Sequence, residues 1–500
     1  LDWRDRYVLG GLVRRDGSSL FGEDNRWSTF GRVSAAWRPS QESWWFLPQI
    51  NELKLRASVG TAGNRPPFAA QYETYNLTSG IIGAAATIGN ANLKPETVRE
   101  TELGFDSEVF NRIGIGMTWA KTQAKDQILV VPFAAFFGWS QQYQNAGQLD
   151  GQTFEASVNV PIISRSDLSY SVRGTYDRSF ATITKLNVPP YTFGANAQAT
   201  DKLFLAKEGE RYGTFYGRKF ATKCSDLPSA LAAACGPGMD FQRNNEGHIV
   251  WVGAGNSPSD GIVRNLWQSS LARTSPFYST KIAGEATKLH NGVDVNWGMP
   301  IIVRDSAGSG LLLPLGNALP KYRFAISQTL NFKRFSAYAL LDAVRGRSVY
   351  NQGRGWAHLD FLAGDQDQAG KNVEDAKPLG YYYRGGLPNS GAGVGGFYDI
   401  LGPNSRFVED ASYTKLREAS VGYRLGAIGG LKGDWTVNLV GRNLKTWTKY
   451  SGFDPEVGFG AVSGTGGSGA NSSGSALINA VDAFQFPNTR SFTFSVSTSF

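Results

Sequence analysis

Residues 322–332 read YRFAISQTLNF, and this stretch decides the fold class. Apolar side chains fall on the even-numbered positions from Tyr322 to Phe332, with Gln328 as the exception. A helix with this pattern would be apolar on every side, whereas a strand places alternate residues on opposite faces. The stretch is therefore predicted to be a two-faced β-strand.

The same period of two recurs along the chain. The clearest further examples are residues 154–160 and 168–177, and shorter ones are 33–37, 53–59, 103–105, 113–119, 421–423, 435–439 and 492–496. Roughly fourteen such segments, each near the ten residues that a tilted membrane strand needs, predict an all-β, antiparallel transmembrane β-barrel. Trp37, Trp119, Tyr423 and Trp435 lie near one end of their apolar faces, where an aromatic ring can reach the lipid headgroups.

Composition agrees with this prediction and excludes other classes. Charged residues make up 18% of the 500 residues, while 60 Gly, 30 Phe, 20 Tyr and 13 Trp exceed ordinary usage. No segment has the 18 or so consecutive apolar residues of a membrane-spanning helix. The net charge of +8 is spread over pairs such as Arg14-Arg15 and Lys333-Arg334, so no nucleic-acid partner is predicted.

The two cysteines bear on the cellular compartment. Cys224 and Cys235 have ten residues between them in a stretch of small and turn-forming residues, which predicts a loop disulfide. Such a bridge persists in a periplasmic or surface compartment, and a pair of free thiols is the alternative. The chain begins Leu1-Asp2-Trp3 without a signal segment, which predicts a mature or truncated piece.

The connections between predicted strands fall into two length classes. Tight turns are predicted at residues 111–112 and 164–167, whereas residues 66–96, 184–319, 351–412 and 452–488 show little alternation. Short periplasmic turns and long extracellular loops are typical of outer-membrane barrels. A β-sandwich with one wet face is the alternative, but it would repeat near 100 residues, and no such repeat is visible.

Motifs for catalysis or cofactor binding are weak. Residues 464–469 match G-x-G-x-x-G but lie in a Gly/Ser-rich segment with no strand-to-helix transition. His248, His290 and His358 show no metal-ligand spacing, and the pair Glu100 and Glu102 suits a polar lumen. The sequence predicts no catalytic residue, no cofactor, no metal site and no enzymatic activity.

The C-terminus carries a pattern of its own. Phe492, Phe494, Val496 and Phe500 place apolar side chains on one face of the last strand, and the chain ends on an aromatic residue. We interpret these four residues as the C-terminal signal of an outer-membrane barrel.

Several motifs together carry a family resemblance. Residues 90–96 (NANLKPE), with Leu93, Lys94, Pro95 and Glu96, are followed by Glu102 and Gly104, and this run resembles the signature of TonB-dependent outer-membrane transporters. Further runs resemble the SusC/RagA branch: residues 14–19 with 25–27 and 33–37, 53–60, 413–423 (YTKLREASVGY), 441–444 with 446–450, 452–456 (GFDPE) and 487–500.

The resemblance implies an architecture. Residues 1–500 would be the C-terminal portion of the barrel domain, supplying roughly fourteen of about 22 strands, with the plug domain and signal peptide absent from this chain. A smaller barrel that closes on itself is the structural alternative.

The resemblance also implies a function, namely active import of an oligosaccharide or peptide across the outer membrane of a Gram-negative bacterium. The partners would be a SusD-like surface lipoprotein, the TonB complex acting through the missing N-terminal part, and outer-membrane lipid. Aromatic residues that could stack on a ligand are Trp139, Tyr143, Trp251, Tyr381, Tyr382 and Tyr383, although packing within loops is the more common role of such residues. A passive porin or adhesin barrel and a secreted carbohydrate-binding β-sandwich are the alternative functions.

Overall fold

The computed structural model shows a chain dominated by β-strands. It describes residues 1–196, 202–252, 257–258, 287–288, 294–295, 298, 300–305, 310–372, 377, 379–382, 397–398, 404–429, 431–457, 480–484 and 486–499. Within them no helix is long and apolar enough to cross a bilayer.

One large sheet holds most of the strands, numbered here in chain order. Its path is β1 (Asp2–Trp3), β2 (Tyr7–Gly17), β3 (Trp27–Trp37), β4 (Ile50–Asn64), β7 (Glu96–Val109), β8 (Ile113–Pro132), β9 (Gln141–Ser164), β10 (Leu168–Leu186), β19 (Tyr322–Phe332), β20 (Phe335–Arg345), β23 (Tyr413–Ile428), β24 (Leu431–Thr448) and β26 (Ser491–Ser499). Neighbours on this path are antiparallel. The hairpin of β5 (Thr74–Thr78) and β6 (Ile81–Ile88) joins the sheet beside β9. The all-β, antiparallel prediction is confirmed, and the alternating stretch 322–332 is the strand β19.

The strands are staggered along the sheet. One row of directly opposed residues runs across eleven strands: Tyr7, Trp37, Leu55, Phe105, Met117, Ala156, Tyr176, Phe324, Ala343, Thr414 and Trp447. The row starts at the first residue of β2 and ends next to the last residue of β24. Each strand is thus displaced along its neighbours, which is the stagger that tilted barrel strands require.

The two faces of the sheet differ in polarity. One face, called the apolar face below, exposes large apolar side chains such as Val33 at 64%, Leu103 at 51% and Leu439 at 47%. This face becomes polar towards the long-loop ends of the strands. On β8 and β9, for example, the opposed pair Trp119 and Phe154 is succeeded in that direction by the opposed pair Lys121 and Gln152. The apolar band is therefore bounded by aromatic and polar residues, as expected where a lipid layer ends.

Connections alternate between tight turns and long segments. The β7–β8 turn uses Phe110 and Asn111 in the left-handed region, with φ of 56° and 49°. The β19–β20 turn uses Lys333 with φ of 52°. The tight turns of the path lie at one end of the strands, together with the β3–β4 connection of residues 38–49. The four longest connections, residues 65–95, 187–321, 346–412 and 449–490, all lie at the other end. This asymmetry confirms the predicted arrangement of turns and loops.

The long connections are more ordered than the sequence suggested. They contain β11 (Tyr191–Asn196), β12 (Lys202–Ala206), β13 (Thr214–Gly217), β14 (Phe241–Arg243), β15 (Ile249–Trp251), β16 (Thr287–Lys288), β17 (Asp294–Val295), β18 (Leu313–Asn317), β21 (Ser348–Asn351), β22 (Val408–Asp410) and β25 (Val481–Asp482), with helices α1 (Ser229–Ala232), α2 (Gln352–Leu359) and α3 (Leu379–Tyr382). Short 3-10 turns lie at Glu23–Asn25, Pro39–Gln41, Phe68–Gln71, Ala135–Phe137, Cys224–Asp226, Gly364–Gln366 and Asn404–Phe407.

These long connections have their own hydrophobic cores. The largest packs Phe204 and Phe215 against Val349, Phe407 and Val481, residues from three different long connections. A core of this kind cannot be read from local alternation, because its members are separated by up to hundreds of residues.

The sheet has two edges. Among the described residues β1 pairs only with β2, and β26 pairs only with β24. An edge strand presents unpaired backbone N–H and C=O groups, which a lipid environment cannot satisfy. The edges therefore need partner strands in a membrane.

Candidate functional site

The face opposite the apolar one, called the polar face below, carries charged side chains on neighbouring strands. Arg56 on β4 donates from Nε to Asp106 Oδ2 at 2.9 Å and from Nη1 to Glu102 Oε1 at 3.2 Å. Its NH2 group lies 3.2 Å from Thr118 Oγ1. Side chains that pair across strands in this way form a wall able to face water.

Gly104 leaves room for this network. A Cβ atom placed on Gly104 would lie 2.9 Å from the NH2 group of Arg56 and 2.9 Å from the carbonyl oxygen of Met117. The glycine of the signature therefore permits the guanidinium of Arg56 to lie across the strand and reach Glu102.

The first part of the signature fixes the end of a long connection against the wall. Leu93 is fully buried against Phe21 and Tyr143. The backbone N–H and C=O of Lys94 are both bonded to the side-chain amide of Asn145, each at 2.9 Å.

Glu96 completes this junction. Its Oε1 accepts from the N–H of Ile128 at 2.8 Å, and its Oε2 accepts from Asn64 Nδ2 at 2.9 Å. These contacts give the signature residues structural roles at the junction between the loop and the sheet.

A second charged cluster, which we call the mouth anchor, lies where β20 and β23 meet the connection after β24. It consists of Asp342, Lys415, Arg417, Asp454 and Glu456. Lys415 is 1% exposed and donates to Asp454 Oδ1 and Glu456 Oε2, both at 2.7 Å. Arg417 bridges Asp342 Oδ2 and Glu456 Oε2, at 2.6 Å and 2.7 Å. The GFDPE segment is thereby tied to the wall.

Other groups reinforce the anchor. Tyr413 donates its hydroxyl to Glu456 Oε1 at 2.7 Å, and Asn488 Nδ2 lies 3.0 Å from Glu456 Oε2. Arg347, 1% exposed, donates to the carbonyl oxygens of Pro455 and Val457. Burial opposes ionisation of Glu456, but the hydrogen bonds from Arg417, Lys415 and Tyr413 prevail and lower its pKa to about 2.

The disulfide candidate lies in a separate loop core. Cys224 and Cys235 are joined by a disulfide with a Cα–Cα distance of 5.6 Å. They pack beside a buried cluster that includes Leu227, Phe241 and Ile249. The bridge thus holds together a small module built from one connection.

The aromatic residues singled out from the sequence are dispersed. Tyr143 is 8% exposed and Tyr381 is 4% exposed, so both rings pack within the protein. Trp251 and Tyr382 are partly buried against the core around Val250.

Among the described residues of this set, Trp139 is the one whose ring contacts an exposed aromatic ring. Trp139 lies with its ring 5.4 Å from that of Tyr75, which is 50% exposed. Tyr383 lies outside the described residues, as do Phe500, His290 and residues 464–469. The described aromatic residues therefore do not form one binding platform.

The remaining predicted residues occupy distinct places. Phe492, Phe494 and Val496 are exposed on β26. His358 is buried, with Nε2 3.1 Å from Asp365 Oδ2, and burial lowers its pKa. Across the described part of the chain, no group of three His, Cys, Asp or Glu residues could hold a metal ion.

A cleft that sequence reasoning missed lies between β8–β10 and the loop strand β11. We call it the apolar cleft, and its volume is about 610 Å³. Its lining includes Leu129, Leu149, Ile183, Leu186, Tyr191 and Phe193, and the polar residues Asn64, Arg65, Glu96, Gln127 and Tyr212. Burial, together with a smaller electrostatic contribution from the neighbouring Tyr212, raises the pKa of Tyr191 to about 12.

Comparisons with known proteins agree with this architecture. The family model "TonB dependent receptor-like, beta-barrel" matches residues 1–231. TonB-dependent receptor P3 of Formosa agariphila is 24% identical over 100% of this chain and 44% of its own length. TonB-dependent receptor SusC of Bacteroides thetaiotaomicron is 32% identical over 36% of this chain and 20% of its own length.

Solved structures show the same fold. The RagAB peptide transporter matches with a TM-score of 0.63 at 19% identity, covering 99% of this chain and 46% of that one. This chain thus spans less than half the length of P3 and of that structure. From its fold and these matches, the chain is similar to TonB-dependent receptors, SusC among them, and to the RagAB peptide transporter.

Proposed function

We propose that this chain forms part of the barrel wall and mouth of a TonB-dependent importer that takes up an oligosaccharide or a peptide. One observation carries the proposal: a staggered sheet presents an apolar face on one side and paired charges, such as Arg56 with Glu102, on the other. A wall of this kind separates lipid from a polar passage.

The open edges of the sheet bear on the domain assignment. We assign residues 1–500 to the C-terminal portion of the barrel, and we propose that strands from outside this sequence pair with β1 and β26 to close it. A barrel of about 22 strands is too wide to be filled by its own side chains, so import requires a plug domain.

The partners follow from this assignment. The long connections form packed cores at one end of the strands, and a SusD-like surface lipoprotein would cover that end outside the cell. The TonB complex would act through a plug supplied by the N-terminal part of the protein. The RagAB structure is that of a peptide transporter. Peptides are therefore candidate cargo, as oligosaccharides are.

The test is uptake by the full-length protein in an outer membrane, with and without TonB. We expect the protein in the detergent-soluble outer-membrane fraction and uptake that disappears when TonB is deleted. Uptake that persists without TonB would instead identify a passive pore. Recovery as a water-soluble monomer would contradict the membrane assignment.

A further inference from the structure

The apolar cleft differs chemically from the rest of the polar face. Near the middle of the sheet that face carries Arg56, Glu102 and Glu155, whereas Leu149 and Ile183 oppose each other directly at the long-loop ends of β9 and β10. Apolar side chains beside an aqueous passage are unfavourable unless something covers them. Here Tyr191 and Phe193 of β11 cover one side and leave a cleft.

The size and lining of the apolar cleft suit a small ligand group. Its volume of about 610 Å³ lies within the range of ligand pockets, roughly 300–1,000 Å³. Its floor is closely packed, because a Cβ on Gly147 would lie 3.0 Å from Leu129 Cδ1. The pocket therefore combines an apolar wall with polar side chains, among them Arg65, Gln127 and Tyr212.

The charged groups at its side are not equivalent. Both carboxylate oxygens of Glu96 already accept hydrogen bonds, from Ile128 and Asn64. Arg65 is exposed, and it has no hydrogen bond or ion pair with any described residue. The charge left available beside the cleft is thus a guanidinium, which prefers a carboxylate partner.

We propose that the apolar cleft binds an apolar organic anion, whose apolar group lies against Leu149 and Ile183 and whose carboxylate contacts Arg65. This rests on the proposed import function and narrows its cargo. Such an anion is either the C-terminal residue of a short peptide or a medium-chain fatty acid. A neutral oligosaccharide carries no negative charge to pair with the guanidinium of Arg65.

The test is binding to the full-length protein in detergent, with dansyl-Gly-Gly-Leu as the fluorescent probe. Its C-terminal amide is the matched ligand, since it differs only in the charge. Arg65→Gln removes the guanidinium, and Arg165→Gln makes the same change at the far tight turn of β9 and β10. Leu149→Gln makes the cleft wall polar. If the Leu149→Gln variant fails to assemble, Leu186→Gln is used in its place.

We expect the free acid to bind about tenfold or more tightly than the amide. Arg65→Gln should abolish that difference, while Arg165→Gln should preserve it, and Leu149→Gln should weaken both ligands. Competition by decanoate distinguishes a fatty acid from a peptide. If decanoate binds more tightly than the peptide probe that it displaces, the anion is a fatty acid. If it binds less tightly, the anion is the C-terminal residue of a peptide.

Three results would overturn the inference: equal binding of acid and amide, an unchanged preference in Arg65→Gln, or stronger competition by maltohexaose than by either anion. TonB-dependent uptake measured on the same variants keeps the two ideas apart. Uptake that survives alongside any of these results removes the apolar cleft from the route, but it leaves the importer in place.

Discussion

Replacing Glu456 by Gln should release the GFDPE segment from the wall. In the native protein the carboxylate accepts from Lys415, Arg417 and Tyr413. Glutamine keeps the shape but not the charge, so the buried ammonium of Lys415 would retain only Asp454 as an acidic partner. Removing one member of a buried ion pair leaves the other charge uncompensated.

The size of this effect follows from two independent arguments. Breaking a buried ion pair costs about 3–5 kcal/mol. The pKa of Glu456, about 2 against its ordinary value of 4.5, corresponds to about 3 kcal/mol of stabilisation of the charged form. We therefore expect Glu456→Gln to lower the local opening free energy of residues 449–457 by about 3 kcal/mol.

The sign of the pH dependence is also fixed. Because folding lowers the pKa of Glu456, its contribution is complete above pH 4.5 and is lost as the pH falls towards 2. Hydrogen exchange of peptides covering residues 449–457, corrected for intrinsic rates, measures this opening in the native membrane protein. Protection should fall with acid in the wild type, and the Glu456→Gln variant should lose most of that dependence.

A matched control lies on β23, the strand that carries Lys415 and Arg417. Glu418 pairs with Arg442 at 3.0 Å, but their side chains are 27% and 59% exposed, so Glu418→Gln should cost about 1 kcal/mol or less. Equal loss of protection in the two variants would refute the claim that burial makes the mouth anchor strong.

Three further predictions concern the wall and the loop module. Gly104→Ala should displace the guanidinium of Arg56 and destabilise the protein by about 1–3 kcal/mol, measured by denaturant unfolding in detergent. Leu439→Arg on the apolar face should cost about 2–4 kcal/mol and reduce outer-membrane levels on immunoblots, whereas Asn438→Arg on the polar face should leave those levels nearly unchanged. Cys224→Ser should increase proteolysis of the loop module without removing the protein from the membrane, since the disulfide lies outside the large sheet.

The large sheet was predictable because its physics is local. In β19 successive residues face the apolar and the polar side in turn, so apolar and polar side chains alternate with a period of two along residues 322–332. Tight turns were visible for the same reason. The stagger was not predictable, since it depends on register between strands, and a period of two does not fix which residues face each other.

The loop cores and the candidate site depend on contacts between distant segments. The ring of His248 meets the hydroxyl of Tyr381 at 2.7 Å across 133 positions, and Phe204 packs with Val349 and Phe407. No local pattern signals such contacts. Tyr143 illustrates the consequence, because an aromatic residue in an irregular stretch looked available to a ligand and is instead buried against Leu93.

The signature residues show why a strong sequence motif need not mark a ligand site. Leu93 and Glu96 hold a connection to the wall, and Gly104 makes room for Arg56. Their interactions are satisfied within the protein, so they have little left to offer a ligand. Arg65, one residue beyond β4, has no partner among the described residues and belongs to no motif. Discrimination between cargoes should therefore respond to changes at Arg65 and Leu149, while changes in the signature should alter assembly and stability first.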